Sequence, residues 1–334
     1  MDHRNKRSKE SATLHSLRSG EERNQASIVC TLSAGDYHFG LGALVNSLYA
    51  QGFRGDIYIG FRGELPLWAV KSARAVDSGW TYEMHECLLH FIPLSTTDFL
   101  NNHKPDFVLQ LMEVHCPTAQ RFFYFDADAI VRASWSFFEH WISCGVAVCE
   151  DMNDYLPSHH PVRQAWGRYA LGHGLEIARS PDRFYNSGFF AFHREHGEFL
   201  KVWKTLFDYR VAEGANLNAF VFCKSDYPYL CNDQDLMNLA LMLVSDPITA
   251  VGAEGMGFKS GGHVMSHSAG EIKSWRKHFI WEALKGRPPS LADKDFVQYA
   301  SRPLRIYSMP RLTLRWLGVR IGSLIGRFYA RRNA

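Results

Sequence analysis

The chain has 334 residues, 46% of them apolar and 21% charged, which excludes wholesale disorder and leaves enough apolar mass for a sizeable core. Its net charge of +3 is unevenly spread: residues 1–27 carry six Lys/Arg and four Asp/Glu, residues 302–334 carry eight Arg and no acid, and the body keeps 23 basic and 30 acidic side chains. A mildly acidic body argues against a nucleic-acid partner, while the basic C-terminal segment calls for something anionic nearby.

From residue 27 onward, short β-rich runs alternate with helical spacing. The pattern predicts a strand over 27–32 (SIVCTL), a helix over 40–50 that stops at Gly52, and a strand over 56–61 (DIYIGF). It then predicts a helix over 67–76, a strand over 81–88 and a helix over 106–115 that starts after Pro105. A dense apolar strand over 121–125 (RFFYF) runs straight into Asp126-Ala127-Asp128. Strand, helix, strand in succession implies an α/β fold with parallel pairing and helices on both faces. In such sheets ligands bind beyond the carboxyl ends of the strands, where Asp126 and Asp128 fall.

The second half predicts strands over 145–149 and 184–193, helices over 198–212, 235–244 and 275–284, and a loop-rich stretch over 151–180. No internal repeat is present, and neither the three-glycine dinucleotide fingerprint nor G-x-x-x-x-G-K-[ST] occurs. Seven cysteines form an odd set without a C-x-x-C pair, which reads as reduced, buried thiols in a cytoplasmic chain. Residues 1–27 read as a flexible arm, residues 28–300 as one large domain and residues 301–334 as a separate basic amphipathic segment. No apolar stretch approaches the ~20 residues that a membrane span requires.

Asp126 and Asp128 sit on a turn where both carboxylates can reach one hard cation such as Mg²⁺ or Mn²⁺. The triplet alone is weak: Asp233-Gln234-Asp235 repeats it, and an Asx turn ending the strand explains it structurally. His267-Ser-Ala-Gly270-Glu-Ile-Lys273-Ser-Trp275 is richer, with an imidazole for a metal, a glycine that lets a phosphate approach, a lysine to neutralise it and a tryptophan anchor. Each of these also has a plain structural reading. His263 and His267 mimic a zinc-protease spacing but lack the glutamate between them. Asn232-Asp233-Gln234-Asp235 opens a helix, as an N-cap or as a sugar contact. Asn186-Ser187-Gly188 lies inside an apolar strand, as a bulge or as an amide for a hydroxyl-rich ligand.

Taken in order, Ala34-Gly-Asp36-Tyr37 followed by Asn46-Ser47-Leu48, Phe122-Phe-Tyr-Phe-Asp126-Ala-Asp128, Phe184-Tyr-Asn186-Ser187-Gly188, Asn232-Asp233-Gln234-Asp235 with Asn238, and His267-x-x-Gly270-x-x-Lys273-x-Trp275 span about three quarters of the chain. The ordered set resembles glycosyltransferase family 8, the retaining transferases of GT-A fold. The resemblance implies a mixed, Rossmann-like sheet and a nucleotide-sugar donor, most often a UDP-hexose. It implies Mn²⁺, with Mg²⁺ as the alternative, held by Asp126, Asp128 and His267. Lys273 and the Gly270 backbone would hold the diphosphate, Leu32 and Asp36 would meet the base and ribose, and the Ala127 backbone would line the donor site. Asn186, Asp233 and Gln234 would surround the transferred sugar as the catalytic set. The family usually places a donor-contacting arginine shortly before the D-x-D strand; here only Lys104 is near enough to substitute for it in the donor site, and Ser274-Trp275 stands where the family has Pro-Trp.

Projected onto a helix, Leu314, Leu317, Ile321, Leu324, Ile325 and Phe328 form one stripe, with Arg311 and Arg315 on one flank and Arg320, Arg327 and Arg331 on the other. That layout suits an in-plane helix on an anionic membrane, and a helix docked on its own domain is the alternative. Bacterial members of the family often act on lipid-linked acceptors, so the resemblance implies a glycan or lipid-linked acceptor, a role in envelope polysaccharide or lipopolysaccharide synthesis, and peripheral attachment at the inner face of the membrane. Two other readings remain at this point: a metal-dependent sugar nucleotidyltransferase, and a non-catalytic membrane-associated protein with a relic transferase fold.

Overall fold

A computed structural model describes residues 27–152, 156–218, 230, 233–261 and 264–330. In chain order the strands are β1 (Ser27–Ala34), β2 (Asp56–Arg62), β3 (Arg74–Val76), β4 (Gly79–Met84), β5 (Cys87–Pro93), β6 (Arg121–Phe125), β7 (Ala129–Val131), β8 (Val146–Glu150), β9 (Tyr185–His193), β10 (Ile248–Val251) and β11 (Met265–His267). The helices are α1 (His38–Ala50), α2 (Lys104–Gln110), α3 (Trp135–Ile142), α4 (Pro161–Gly172), α5 (Glu198–Ala212), α6 (Asp233–Leu243), α7 (Phe279–Leu284), α8 (Leu291–Tyr299) and α9 (Met309–Ala330).

The central strands are apolar on both faces, and the twofold alternation of a strand sends their residues to two different cores. Ile28, Cys30 and Leu32 of β1, Phe122 and Tyr124 of β6, and Phe190 and Phe192 of β9 join one core; Val29, Phe123, Phe125, Phe189 and Ala191 join the other. A sheet buried on both faces must be covered on both, so α2, α4, α5 and α6 pack on the first side and α1 and α3 on the second. The facing aromatics Phe122/Phe192 and Tyr124/Phe190 stack with centroids 5.6 and 4.8 Å apart, and each such buried ring contributes roughly 1.5–3 kcal/mol. A third cluster under the C-terminal helices joins Trp275, Phe279, Phe296, Tyr307, Leu312 and Val319.

Among the described residues the main sheet has nine strands in the order β10-β8-β9-β6-β1-β2-β5-β4-β3. The run β6-β1-β2-β5 is parallel, as the alternation predicts, while β9 and β4 run against their neighbours and make the sheet mixed. This is a single α/β domain built on one mixed, mostly parallel sheet, as the resemblance implies. Because β9 is antiparallel, its first residues lie at the same sheet edge as the ends of β1 and β6.

Several expectations are corrected. Residues 67–76 are not a helix: isolated turns close on Pro66 and Ala69, Leu67 and Val70 face solvent, and β3 pairs with β4 across Gly79, whose φ is 136°. With one buried side chain over 67–72, nothing holds a helix there. The strand expected over 81–88 is two antiparallel strands, because His85 at φ 52° turns the chain between β4 and β5. The loop-rich stretch contains α4, started by Pro161 and by His160, whose Nδ1 accepts from Val162 N at 3.2 Å. The helix expected from Trp275 begins at Phe279. Cys30, Cys87, Cys116 and Cys149 are free and buried, Cys144 is exposed, and Cys223 and Cys231 lie outside the described residues, as do Asn232, His263, Arg331 and residues 1–26 of the N-terminal arm, whose last residue Ser27 opens β1.

α9 is docked on the domain along one side. A Cβ on Gly322 would sit 2.8 Å from the Phe279 carbonyl oxygen, and one on Gly326 would sit 2.5 Å from Pro288 Cβ, so the glycines that weaken helix propensity are required by close packing. Arg315, expected on a lipid-facing flank, turns inward instead: its guanidinium lies over Phe279, Phe296 and Tyr307 and donates to the Ser274 carbonyl.

Candidate functional site

The site forms where β6 ends. The chain leaves the sheet at Asp126, whose amide donates to the Gly188 carbonyl at 2.8 Å, then turns through the buried Ala127 and Asp128 into β7. β11 pairs antiparallel with β7 and sets His267 opposite Ala129. That pairing carries the imidazole across 139 residues of chain to Asp128, with Nε2 3.1 Å from Asp128 Oδ1 and 3.8 Å from Asp126 Oδ2.

One ligand atom from each of Asp126, Asp128 and His267 lies within 4.8 Å of the other two. Two carboxylates and an imidazole suit a divalent cation of the Mn²⁺ type. Gly188 leaves room for them, since a Cβ there would fall 2.5 Å from His267 Cε1 and 3.0 Å from Asp126 Oδ2. His267 Nδ1 is buried without a hydrogen-bond partner, so the ring is held by its Nε2 side.

Two lysines flank this centre. Lys273 Nζ sits 2.7 Å from Asp128 Oδ2 and donates to the Ser268 carbonyl at 2.8 Å. Burial alone would raise the Asp128 carboxyl, but His267 and Lys273 beside it hold it well below the ordinary carboxylate range. Lys104 is fully buried at the start of α2, with Nζ 3.1 Å from Asp126 Oδ1, 2.8 Å from Asp233 Oδ2 and 3.0 Å from the Ser187 carbonyl. Burial would depress this ammonium; Asp126 and Asp233 outweigh it and keep the group charged. Tyr124 OH adds a donor to Asp126 Oδ1 at 3.0 Å.

The first residues of β9 and of α6 complete the wall. Ser187 Oγ donates to Asp233 Oδ2 at 2.6 Å, and Ser187 N donates to Gln234 Oε1 at 3.1 Å. Asn238 brackets the Tyr185 backbone, accepting from its amide at 2.8 Å and donating to its carbonyl at 2.7 Å, which ties α6 to β9. Asn186 is both a bulge residue and a polar contact: the β8/β9 register slips here, its Oδ1 accepts from Gly188 N at 2.9 Å and its Nδ2 donates to Asp151 at 2.6 Å.

Nine residues singled out in the sequence are therefore in one connected network: Lys104, Asp126, Asp128, Asn186, Ser187, Asp233, Gln234, His267 and Lys273. Asp36 stands beside it, its carboxylate held by Trp275 Nε1 at 2.9 Å and by Arg276, which pull it below the usual carboxylate range. Leu32 is buried in the core beside Gly60, and Gly270 is exposed with open space around it. A small pocket between the ends of β1 and β2 is lined by Ser33, Gly35, His38, Arg62, Glu64 and Pro66, and His38 Nδ1 is buried there without a partner.

Sequence reasoning missed Asp151, although it follows a strand directly; it also missed Arg276 and the brace behind Lys273. In that brace Ser274 Oγ donates to Asp293 Oδ1 at 2.7 Å and lies 3.0 Å from Ser268 Oγ.

No family model and no curated protein matches the chain. Solved structures do match in fold. The bifunctional glycosyltransferase WbbM aligns at a TM-score of 0.50 and 14% identity over 87% of this chain and 52% of its own, so the chain spans about half the length of that protein. The galactosyltransferase LgtC, solved with donor and acceptor sugar analogues, aligns at a TM-score of 0.50 and 13% identity over 86% of this chain and 99% of its own. With its mixed sheet and its acidic turn after β6, the chain has the GT-A glycosyltransferase fold.

Proposed function

We propose that the chain is a retaining, Mn²⁺-dependent glycosyltransferase that moves a hexose from a UDP-sugar to a hydroxyl of a glycan or lipid-linked acceptor in envelope polysaccharide or lipopolysaccharide synthesis. The observation that carries this reading is the convergence of Asp126, Asp128 and His267 beside Lys273, at the sheet edge where β1 and β6 end. That the structures sharing the fold are glycosyltransferases supports the reaction class.

Asp126, Asp128 and His267 would hold the cation, which when bound offsets charge on the donor's two phosphates. Lys273 would turn from Asp128 to a phosphate oxygen, and the exposed Gly270, with free space where a side chain would stand, would let the diphosphate approach its backbone. The uracil and ribose would enter near Asp36, Leu32 and the pocket beside His38. Asn186, Asp233 and Gln234 would line the sugar, with Lys104 fixing the Asp126 and Asp233 carboxylates from behind. The sugar C1–O bond breaks with its electron pair passing to the diphosphate oxygen, and the acceptor oxygen bonds C1 from the same face as its hydroxyl proton passes to the departing diphosphate. Residues 151–180 border Asn186 through Asp151 and are the proposed place of acceptor choice. Among the described residues no helix is long and apolar enough to cross a membrane; the basic C-terminal segment would bring the enzyme to an anionic membrane surface from the cytoplasmic side.

The test is nucleotide release from a panel of UDP- and GDP-sugars, with Mn²⁺ or with chelator. Mn²⁺-dependent UDP release from one sugar, abolished by Asp128→Ala, is the expected result. Absence of UDP binding by calorimetry in the presence of Mn²⁺ would overturn the reading.

A further inference from the structure

We infer that α9 is an interfacial helix whose outer side lies in the plane of an anionic lipid bilayer while its inner side is fixed to the domain. This deepens the proposed membrane contact and rests on that reading, but on none of its chemistry.

The two sides are physically distinct. Leu314, Leu317, Ile321, Leu324 and Phe328, spaced three and four residues apart, form one continuous stripe, and each is between 43% and 68% exposed. A row of five large apolar side chains left in water costs hydration free energy unless something covers it, unlike scattered single exposures. The helix cannot roll to bury the stripe. Gly322 and Gly326 press on Phe279, Pro288 and Pro289 on the inner side, and Arg315 is locked there over three rings. α7, packed against α9, leaves Ile280, Trp281 and Leu284 exposed as well.

Charge decides between the possible covers. Arg320 and Arg327 are exposed along one flank of the stripe and Arg311 along the other, with no acid anywhere in residues 302–334. On the neighbouring helix α7, Glu282 is already paired with Arg287 at 2.7 Å and lies 3.6 Å from Lys285. A second copy meeting this face with its own would set arginines against arginines with nothing to neutralise them. A bilayer with anionic headgroups supplies the phosphates these arginines lack and an apolar boundary for the stripe between them. Trp316, half exposed beneath the Arg320 guanidinium at 5.2 Å, has the amphipathic character of an interfacial residue. Arginines along the helix rule out a transverse orientation.

The experiment is flotation of the full chain with vesicles of phosphatidylcholine alone and with about 30% phosphatidylglycerol added. The wild type is expected to float with the anionic vesicles only. The pair Leu317→Glu and Ile321→Glu, and separately Arg320→Glu and Arg327→Glu, should each lower the bound fraction about tenfold or more. Both variants should keep the wild-type melting curve and UDP release, since none of these side chains is inward. Failure of the wild type to float with anionic vesicles overturns the inference whatever the donor assay gives. Self-association in light scattering that Leu317→Glu dissociates also overturns it and assigns the stripe to a second copy. Vesicle binding without UDP release from any donor leaves the surface standing and counts against the transferase reading alone.

Discussion

Lys104 Nζ lies 2.8 Å from Asp233 Oδ2 and 3.1 Å from Asp126 Oδ1, so one fully buried ammonium joins the acidic turn after β6 to the start of α6. Removing one member of such a buried group leaves the others charged and uncompensated. Lys104→Met is expected to destabilise the fold by about 3–5 kcal/mol, measured by urea unfolding. An unfolding midpoint equal to that of the wild type would show that the pair is hydrated and weak.

His267 reaches the carboxylates through Nε2. Changes merely behind a metal ligand cost about 10–100-fold in affinity, so His267→Ala should weaken Mn²⁺ binding at least about tenfold. Paramagnetic resonance titration of free Mn²⁺ checks this, and unchanged affinity would remove His267 from the ligand set.

Gly188 is needed for its lack of a side chain, since an added Cβ meets His267, Asn186 Oδ1 at 2.8 Å and Asp126. Gly188→Ala should cost about 1–3 kcal/mol by overpacking and push His267 off the carboxylates. The expected signature is a folded protein with a lowered melting temperature and lost Mn²⁺ binding; retained binding would show that the ring can step aside.

Arg315 ties α9 to the carbonyl of Ser274, the residue after Lys273. Losing a hydrogen bond from a charged donor costs about 1.5–3 kcal/mol, and Arg315→Met should cost that much in stability. It should also speed amide exchange over residues 268–276 more than over β1. Exchange that rises equally everywhere would reduce Arg315 to a global packing residue.

Much of this was legible in the sequence. The apolar runs of β6 and β9 and the 15-residue helix α5 carry strong period signals, because burial on both faces or along one stripe constrains every position. The ordered motifs singled out residues that the fold gathers into one network after β6. What was not legible has specific causes. Residues 67–76 carry helix-like spacing without a partner surface, and the turn at His85 has no glycine to announce it. α4 hid among prolines and histidines that turned out to start it.

The chain's own pattern determined that there is an α/β sheet, that a pair of carboxylates ends its central strand, and that its last helix is basic and amphipathic, since all three are local periodicities or adjacent residues. Only the tertiary structure decided which groups meet. β11 delivers His267 to Asp128, α2 buries Lys104 between two aspartates, and the glycine side of α9 docks so that the leucine side cannot. The first spans 139 residues of chain and the others bring together groups from separate elements, and in each case they are set by a backbone pairing or a close packing contact that no local spacing encodes.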